Sequence, residues 1–212
     1  MARKPADQSV SRDEILQAAA EVLRKNGVEA STMKDIAAKV NLTAASLYHH
    51  FENKDTLVLA VLELGLQHAS SDIEAVLNTE LPLPEKLRRL IRVHVTSLTA
   101  NPRSGAAMIF EANPPPPPPG KSVAFREYAT RREAYLTQRR RFEGYFRDVL
   151  NAGIDSGVFR PVDVPTTARA ILGANNWVAV WYQEGGRLDG EQIAAQIADV
   201  FVAGLLMQAH AE

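Results

Sequence analysis

Residues 31–54 read STMKDIAAKVNLTAASLYHHFENK. Ser31 or Thr32 is placed to cap a short helix that carries Ile36, Ala37 and Val40 on one side, because a hydroxyl just before an apolar-periodic run satisfies the free N–H groups of a helix start. Asp35 falls near the positive end of that helix, where a carboxylate is favoured. Asn41 follows, and asparagine tolerates the left-handed backbone a tight turn requires. Thr43 then caps a third short helix reaching His50, with Leu42, Leu47 and Phe51 as its buried positions. Two short helices joined by a three- or four-residue turn form the helix-turn-helix plan, whose second helix lies in the major groove of DNA. With Leu47 inward, Thr43, Ala44, Ser46, Tyr48 and His49 face out. They offer hydroxyls and ring N–H groups for phosphates and base edges, and a methyl for thymine. Thr32 and Lys34 on the preceding helix and Lys54 at the start of the next complete the expected DNA-binding set.

Working outward, Ser11 with Asp13 and Glu14 opens a first helix whose stripe of Ile15, Leu16, Ala19, Val22 and Leu23 runs to Gly27. Asn53 caps a long fourth helix carrying Leu57, Ala60, Val61 and Leu64 inward. Pro82 and Pro84 start a helix that reaches Ala100, and Asn101-Pro102 breaks it. Pro114 to Pro119 is a run of six prolines, which cannot be helix and predicts a stiff polyproline spacer. A long basic helix comes next, with Tyr128, Tyr135, Phe142 and Val149 seven residues apart. Pro165 opens another helix through Trp177, Trp181 and Tyr182, stopped by Gly185-Gly186, and residues 188–208 supply the last. Helical spacing recurs throughout and sustained alternation is missing, so the predicted fold is all-α. A DNA-binding domain over residues 1–54, followed by a second helical domain over 55–212, is expected.

The 212 residues carry 24 Lys+Arg and 25 Asp+Glu, a formal net charge of -1. That near-neutral total hides a segregation. Residues 121–147 hold eight basic against three acidic residues, whereas 148–212 hold three against eight. The basic stretch reads as a solvated face, a partner for the acidic C-terminal region, or a receptor for an anionic ligand. Residues 1–60 are balanced, so DNA contact there rests on positioned groups, Arg3, Lys4, Lys34 and Lys54, and on helix N-termini. Cys is absent, which excludes disulfides, thiolate zinc sites and Cys nucleophiles. Met1 to Val10 lack an apolar stretch and no run approaches a membrane span, so a cytoplasmic protein without membrane association is expected. No nucleophile elbow, zinc-protease motif, P-loop or dinucleotide fingerprint occurs, which argues against an enzyme and against a cofactor or metal. His49 and His50 point apart on a helix, and His68 and His94 stand alone as core or surface residues.

Through Asn26-Gly27, Ser31-Thr32, Ile36-Ala37, Leu47-Tyr48-His49-His50-Phe51 and Asn53-Lys54, residues 11–64 resemble the DNA-binding domain of the TetR family of bacterial transcriptional repressors. Asn41 stands where the family usually has Gly, and Ala44-Ala45 where it often has Lys-Gly. The resemblance implies a homodimer that binds a pseudo-palindromic double-stranded operator and releases it when a small-molecule effector binds the C-terminal domain. It also implies that helices over about 166–184 and 190–208 pair with their mates in a second subunit, through Ala179, Tyr182, Ile197, Val200, Phe201, Gly204 and Leu205. Residues 173–194 are similar to a subgroup regulating fatty-acid, phenylacetate and steroid catabolism, several of whose members respond to acyl-CoA thioesters. For such an effector the expected contacts are Phe110, Arg131, Tyr135, Phe142, Asn176, Trp177 and Trp181. Arginines between Arg126 and Arg141 would meet the phosphates. A multidrug-type or other hydrophobic ligand is the alternative effector.

Overall fold

A computed structural model describes residues 10–100, 114–117 and 122–207. Eight helices occur among them: α1 (Arg12–Ala30), α2 (Met33–Lys39), α3 (Ala44–His50), α4 (Lys54–Leu77), α5 (Leu83–Ala100), α6 (Val123–Asp155), α7 (Val164–Trp181) and α8 (Gly190–Leu205). Among the described residues extended pairing is limited to one isolated antiparallel bridge, Phe159 with Leu206, and no helix is long and apolar enough to cross a membrane. The chain divides into two compact units: residues 1–65 with 103–135, and residues 66–102 with 136–212.

In the first unit the start signals do what their chemistry predicts. Ser11 and Glu14 exchange backbone and side-chain bonds as a capping box, and so do Thr32 and Asp35. These bonds hold the Glu14 and Asp35 carboxyls below the usual carboxylate range. α1 is broken at Gly27, which adopts φ 80°. Ile15, Leu16, Ala19, Leu23, Ile36, Ala37, Leu47 and Phe51 form the buried core beneath α1 to α3, while Leu42, Val40 and Leu64 are only half-buried.

The turn between α2 and α3 shows how Asn41 replaces glycine. Asn41 has φ 57°, its N–H donates to Ala38 O at 3.3 Å, and the Leu42 N–H donates to Ala37 O at 2.9 Å. These are the two bonds of a Schellman cap, whose C′ position demands the left-handed conformation. Asn41→Val should therefore cost about 1–2 kcal/mol, and Asn41→Gly should be close to neutral. Urea-unfolding midpoints of the two variants check this.

The proline run is not a free spacer where it is described. Pro114 is buried; the Tyr128 hydroxyl donates to Pro115 O at 2.8 Å, and Arg132 Nε donates to Pro114 O and Pro115 O at 3.2 and 3.1 Å. Burial, with the charge of Asp55, pushes the Tyr128 phenol up to about 12, so it stays a donor. Pro118 and Pro119 lie outside the described residues.

In the second unit α5 packs against α8 and α7. Its core includes Leu87, Leu90, Ile91, Val95, Phe146, Leu150, Ile171, Val178, Ala194, Ala198 and Val202. The α6–α7 connection is tied to the end of α8 by Arg160 N–H to Leu205 O at 2.8 Å and Met207 N–H to Val158 O at 3.2 Å. Acidic groups of the C-terminal region pair with α5, Asp199 with Arg88 and Glu191 with Arg92. The Asp163 bonds with Thr166, and behind them Arg147 at the end of the basic segment 121–147, help hold the Asp163 carboxyl below the usual range.

His94 lies in this core, 2 % exposed, and burial lowers its pKa from 6.5 to about 4. The imidazole is neutral in the folded protein. Its contribution to stability is complete above the unfolded value of 6.5 and is lost as pH falls through 4, a loss approaching about 3 kcal/mol. Stability should decline between pH 7 and pH 5, and His94→Phe should flatten that decline in denaturation curves.

Candidate nucleic-acid interface

The surface made by α2, its turn and α3 is built on a rigid frame. Thr43 caps α3, accepting from Ser46 N–H at 3.0 Å, and its hydroxyl also bonds that of Ser46 at 3.0 Å. One turn later Leu47 is fully buried and anchors the helix. The next side chain, Tyr48, is 52 % exposed, and His49 and His50 are exposed beside it. A large ring left half exposed on an anchored helix adds little to the protomer and is available to a groove.

The expected DNA-binding residues fall into two groups. Thr43, Tyr48, His49, Thr32 and Lys34 are exposed, while Ala44, Ser46 and Lys54 are half-buried. The Thr32 hydroxyl is committed to its cap, donating to Asp35 Oδ2 at 2.6 Å. Lys54 Nζ donates to Glu29 O at 3.1 Å, which fixes the ammonium beside the segment after Gly27. Asn53 Oδ1 caps α4 by accepting from Thr56 N–H at 2.9 Å. Lys54→Ala should weaken binding to all DNA sequences alike and lower the slope of affinity against salt by about one unit. Anisotropy titrations on specific and random duplexes over a salt series check this. Arg3 and Lys4 lie outside the described residues.

Two supporting contacts were not legible as pairs in the sequence. The Arg12 guanidinium lies over the Phe51 ring at 5.1 Å, and Lys39 pairs with Glu21 at 2.8 Å. Each brings together residues far apart in the chain, so spacing within one helix carries no trace of them.

The residues expected to hold an effector do not gather in one unit. Arg131 and Tyr135 belong to the first, and Phe142, Asn176, Trp177 and Trp181 to the second; Phe110 lies outside the described residues. Arg131 meets Glu63 through two bonds, Nε to Oε1 at 3.2 Å and Nη2 to Oε2 at 2.5 Å, and is taken up by that pair. Arg132 is spent on proline carbonyls, and Arg141 lies 5.8 Å from the Tyr145 ring. Tyr135 and Phe142 are core residues. Trp177 and Trp181 are 61 % and 47 % exposed, on the outer face of α7. Among the described residues no group of three metal-ligating side chains is found.

Of the residues expected to pair with a second subunit, Val200 is 72 % exposed, Gly204 is exposed, and Ala179, Tyr182, Ile197 and Phe201 are half-buried. Leu205, like Ile193, is buried within the protomer. Trp181, Tyr182, Leu188 and Ile197 also line an open groove of about 370 Å³ at the turn between α7 and α8.

Residues 15–61 match the model of bacterial regulatory proteins of the tetR family, and residues 80–205 match the tetracyclin repressor-like C-terminal domain. The chain belongs to the TetR family. It is a TetR-type transcriptional repressor, a DNA-binding regulator and not an enzyme. It is similar to the HTH-type transcriptional repressor KstR2 of Mycolicibacterium smegmatis, 29% identical over 203 residues that cover 95% of this chain and 93% of that one. Among solved structures it resembles KstR2 of Mycobacterium tuberculosis, described as a ketosteroid transcriptional regulator, with TM-score 0.77, 25% identity and 95% and 98% of the two chains covered. AibR in complex with isovaleryl coenzyme A and operator DNA is also similar, with TM-score 0.72, 25% identity and coverage of 89% and 96%.

Proposed function

We propose that this repressor binds a pseudo-palindromic operator as a homodimer, one α3 to each half-site, and that an acyl-CoA thioester releases it. The observation that carries the operator reading is the exposed Tyr48 on a helix anchored by fully buried Leu47. Thr43, His49 and Lys34 stand exposed with it, and Lys54 is held at the start of α4. Recognition extends to residue 54 and the effector-binding region is assigned to 55–212.

The dimer reading is supported by Trp177, Val180 and Trp181 on α7 and Val200 on α8, large apolar side chains left exposed by the protomer. Large apolar side chains left exposed in this way mark an association face. The effector reading is supported by likeness to AibR, whose solved complex contains isovaleryl coenzyme A, and to KstR2. The ligand acts only through its different affinities for the DNA-competent and incompetent states.

Anisotropy titration against the promoter beside the protein's own gene, with and without a panel of CoA thioesters, tests both parts. A salt-sensitive specific complex that at least one thioester dissociates is expected. Equal affinity for promoter and random duplexes removes the operator reading, and a specific complex indifferent to every thioester removes the effector reading.

A further inference from the structure

Four aromatic or amide side chains meet in the core of the second unit. His94 of α5 lies edge-on to Phe142 of α6, with ring centroids 5.2 Å apart, and 6.3 Å from Phe146. Asn175 of α7 is completely buried, and its Nδ2 lies 3.3 Å from His94 Nδ1. Burial keeps the imidazole neutral, so Nδ1 is the acceptor in that contact and the proton sits on Nε2. Asn175 Oδ1 is shielded from solvent and has no hydrogen-bond partner among the described residues, and the same holds for Oδ1 of the adjacent Asn176.

An amide buried with its oxygen unmatched costs about 1–3 kcal/mol. A Leu at position 175 beside a Phe at 94 would fill the same space without that cost, so packing alone does not account for the pair. Its spare capacity has a definite chemistry. Asn175 Oδ1 accepts from a hydroxyl, and the second N–H of Nδ2 donates to a carbonyl. The rings of Phe142 and Phe146 supply an apolar surround, and neutral His94 offers no countercharge to a carboxylate.

We propose that the His94–Asn175 pair is the polar anchor of the effector site and recognises one uncharged hydroxyl group on an otherwise apolar ring or chain. This deepens the effector reading and rests on it only for the role of the bound molecule. Ligand entry separates Phe142 from His94 and matches the open acceptor. A site built around such a bond discriminates strongly against an analogue lacking the polar atom, because its own groups are then left unpaired.

The test uses the full-length protein and matched ligands: cyclohexanecarbonyl-CoA against 4-hydroxycyclohexanecarbonyl-CoA, and the CoA-free pair tert-butylcyclohexane and 4-tert-butylcyclohexanol. The alcohol of each pair should bind at least about 10-fold more tightly and shift the His94 imidazole resonances. In Asn175→Leu the preference should fall below about 3-fold. Should that variant not fold, the wild-type preference together with the His94 shift decides. Preference by the CoA-free alcohol with no response to either thioester upholds the anchor and removes the acyl-CoA reading. Equal binding of alcohol and parent in both pairs overturns the anchor, and release by both thioesters would then leave the acyl-CoA reading standing. No binding by any of the four overturns both.

Discussion

Tyr48→Ala is expected to weaken specific operator binding by about 30- to 100-fold, from roughly 1 kcal/mol or more lost at each of two half-sites. The protomer should hardly notice. Tyr48 is half out of the fold, and a surface truncation of this kind usually changes stability by less than about 0.5 kcal/mol. Binding to random DNA should fall far less than binding to the operator, because that component rests on phosphate contacts. Anisotropy on both duplexes, with a thermal melt of the variant, separates these effects. Unchanged operator affinity would mean that α3 does not present this ring to the groove.

Gly153→Ala is expected to be among the most damaging small substitutions in the second unit. A Cβ at Gly153 would stand 1.9 Å from Cδ2 and 2.4 Å from Cε2 of Phe159. That ring is 1 % exposed, and its N–H and that of Val158 both donate to Gly153 O, at 2.9 and 3.0 Å. Neither partner can withdraw without opening the bridge to the end of α8. The cost should be about 3 kcal/mol, at the upper end of overpacking penalties. For a chain of this length that lowers Tm by about 10 °C. A melt within about 2 °C of wild type would show that the α6–α7 connection yields instead.

What the sequence reveals about this protein depends on how local the governing interaction is. The caps at Ser11, Thr32, Thr43 and Asn53 act over three residues, and each was legible from spacing. Asn41 was legible too, because its left-handed turn is a property of one residue and its immediate bonds. The partners of Arg88, Arg92 and Arg131 were not. Charge counts grouped the basic residues by segment, whereas the ion pairs follow helix packing: α5 meets α8, and Arg131 meets Glu63 across 68 residues. The two tryptophans show the same limit. Their i, i+4 spacing fixes a shared face of α7, yet whether that face turns inward or outward is decided by what the rest of the protomer covers. His94 and Asn175 lie 81 residues apart, and as isolated polar residues in apolar stretches neither announces the other.

The central claim is that α3 reads DNA in a two-fold arrangement, and selection of preferred duplexes from a random pool by the full-length protein tests it most directly, with the number of chains bound per duplex measured on the winner. Two inverted half-sites occupied by an even number of chains, with Tyr48→Ala losing the preference within each half-site, is the predicted result. A single asymmetric site bound by one chain, or recovery of no preferred sequence, would contradict it.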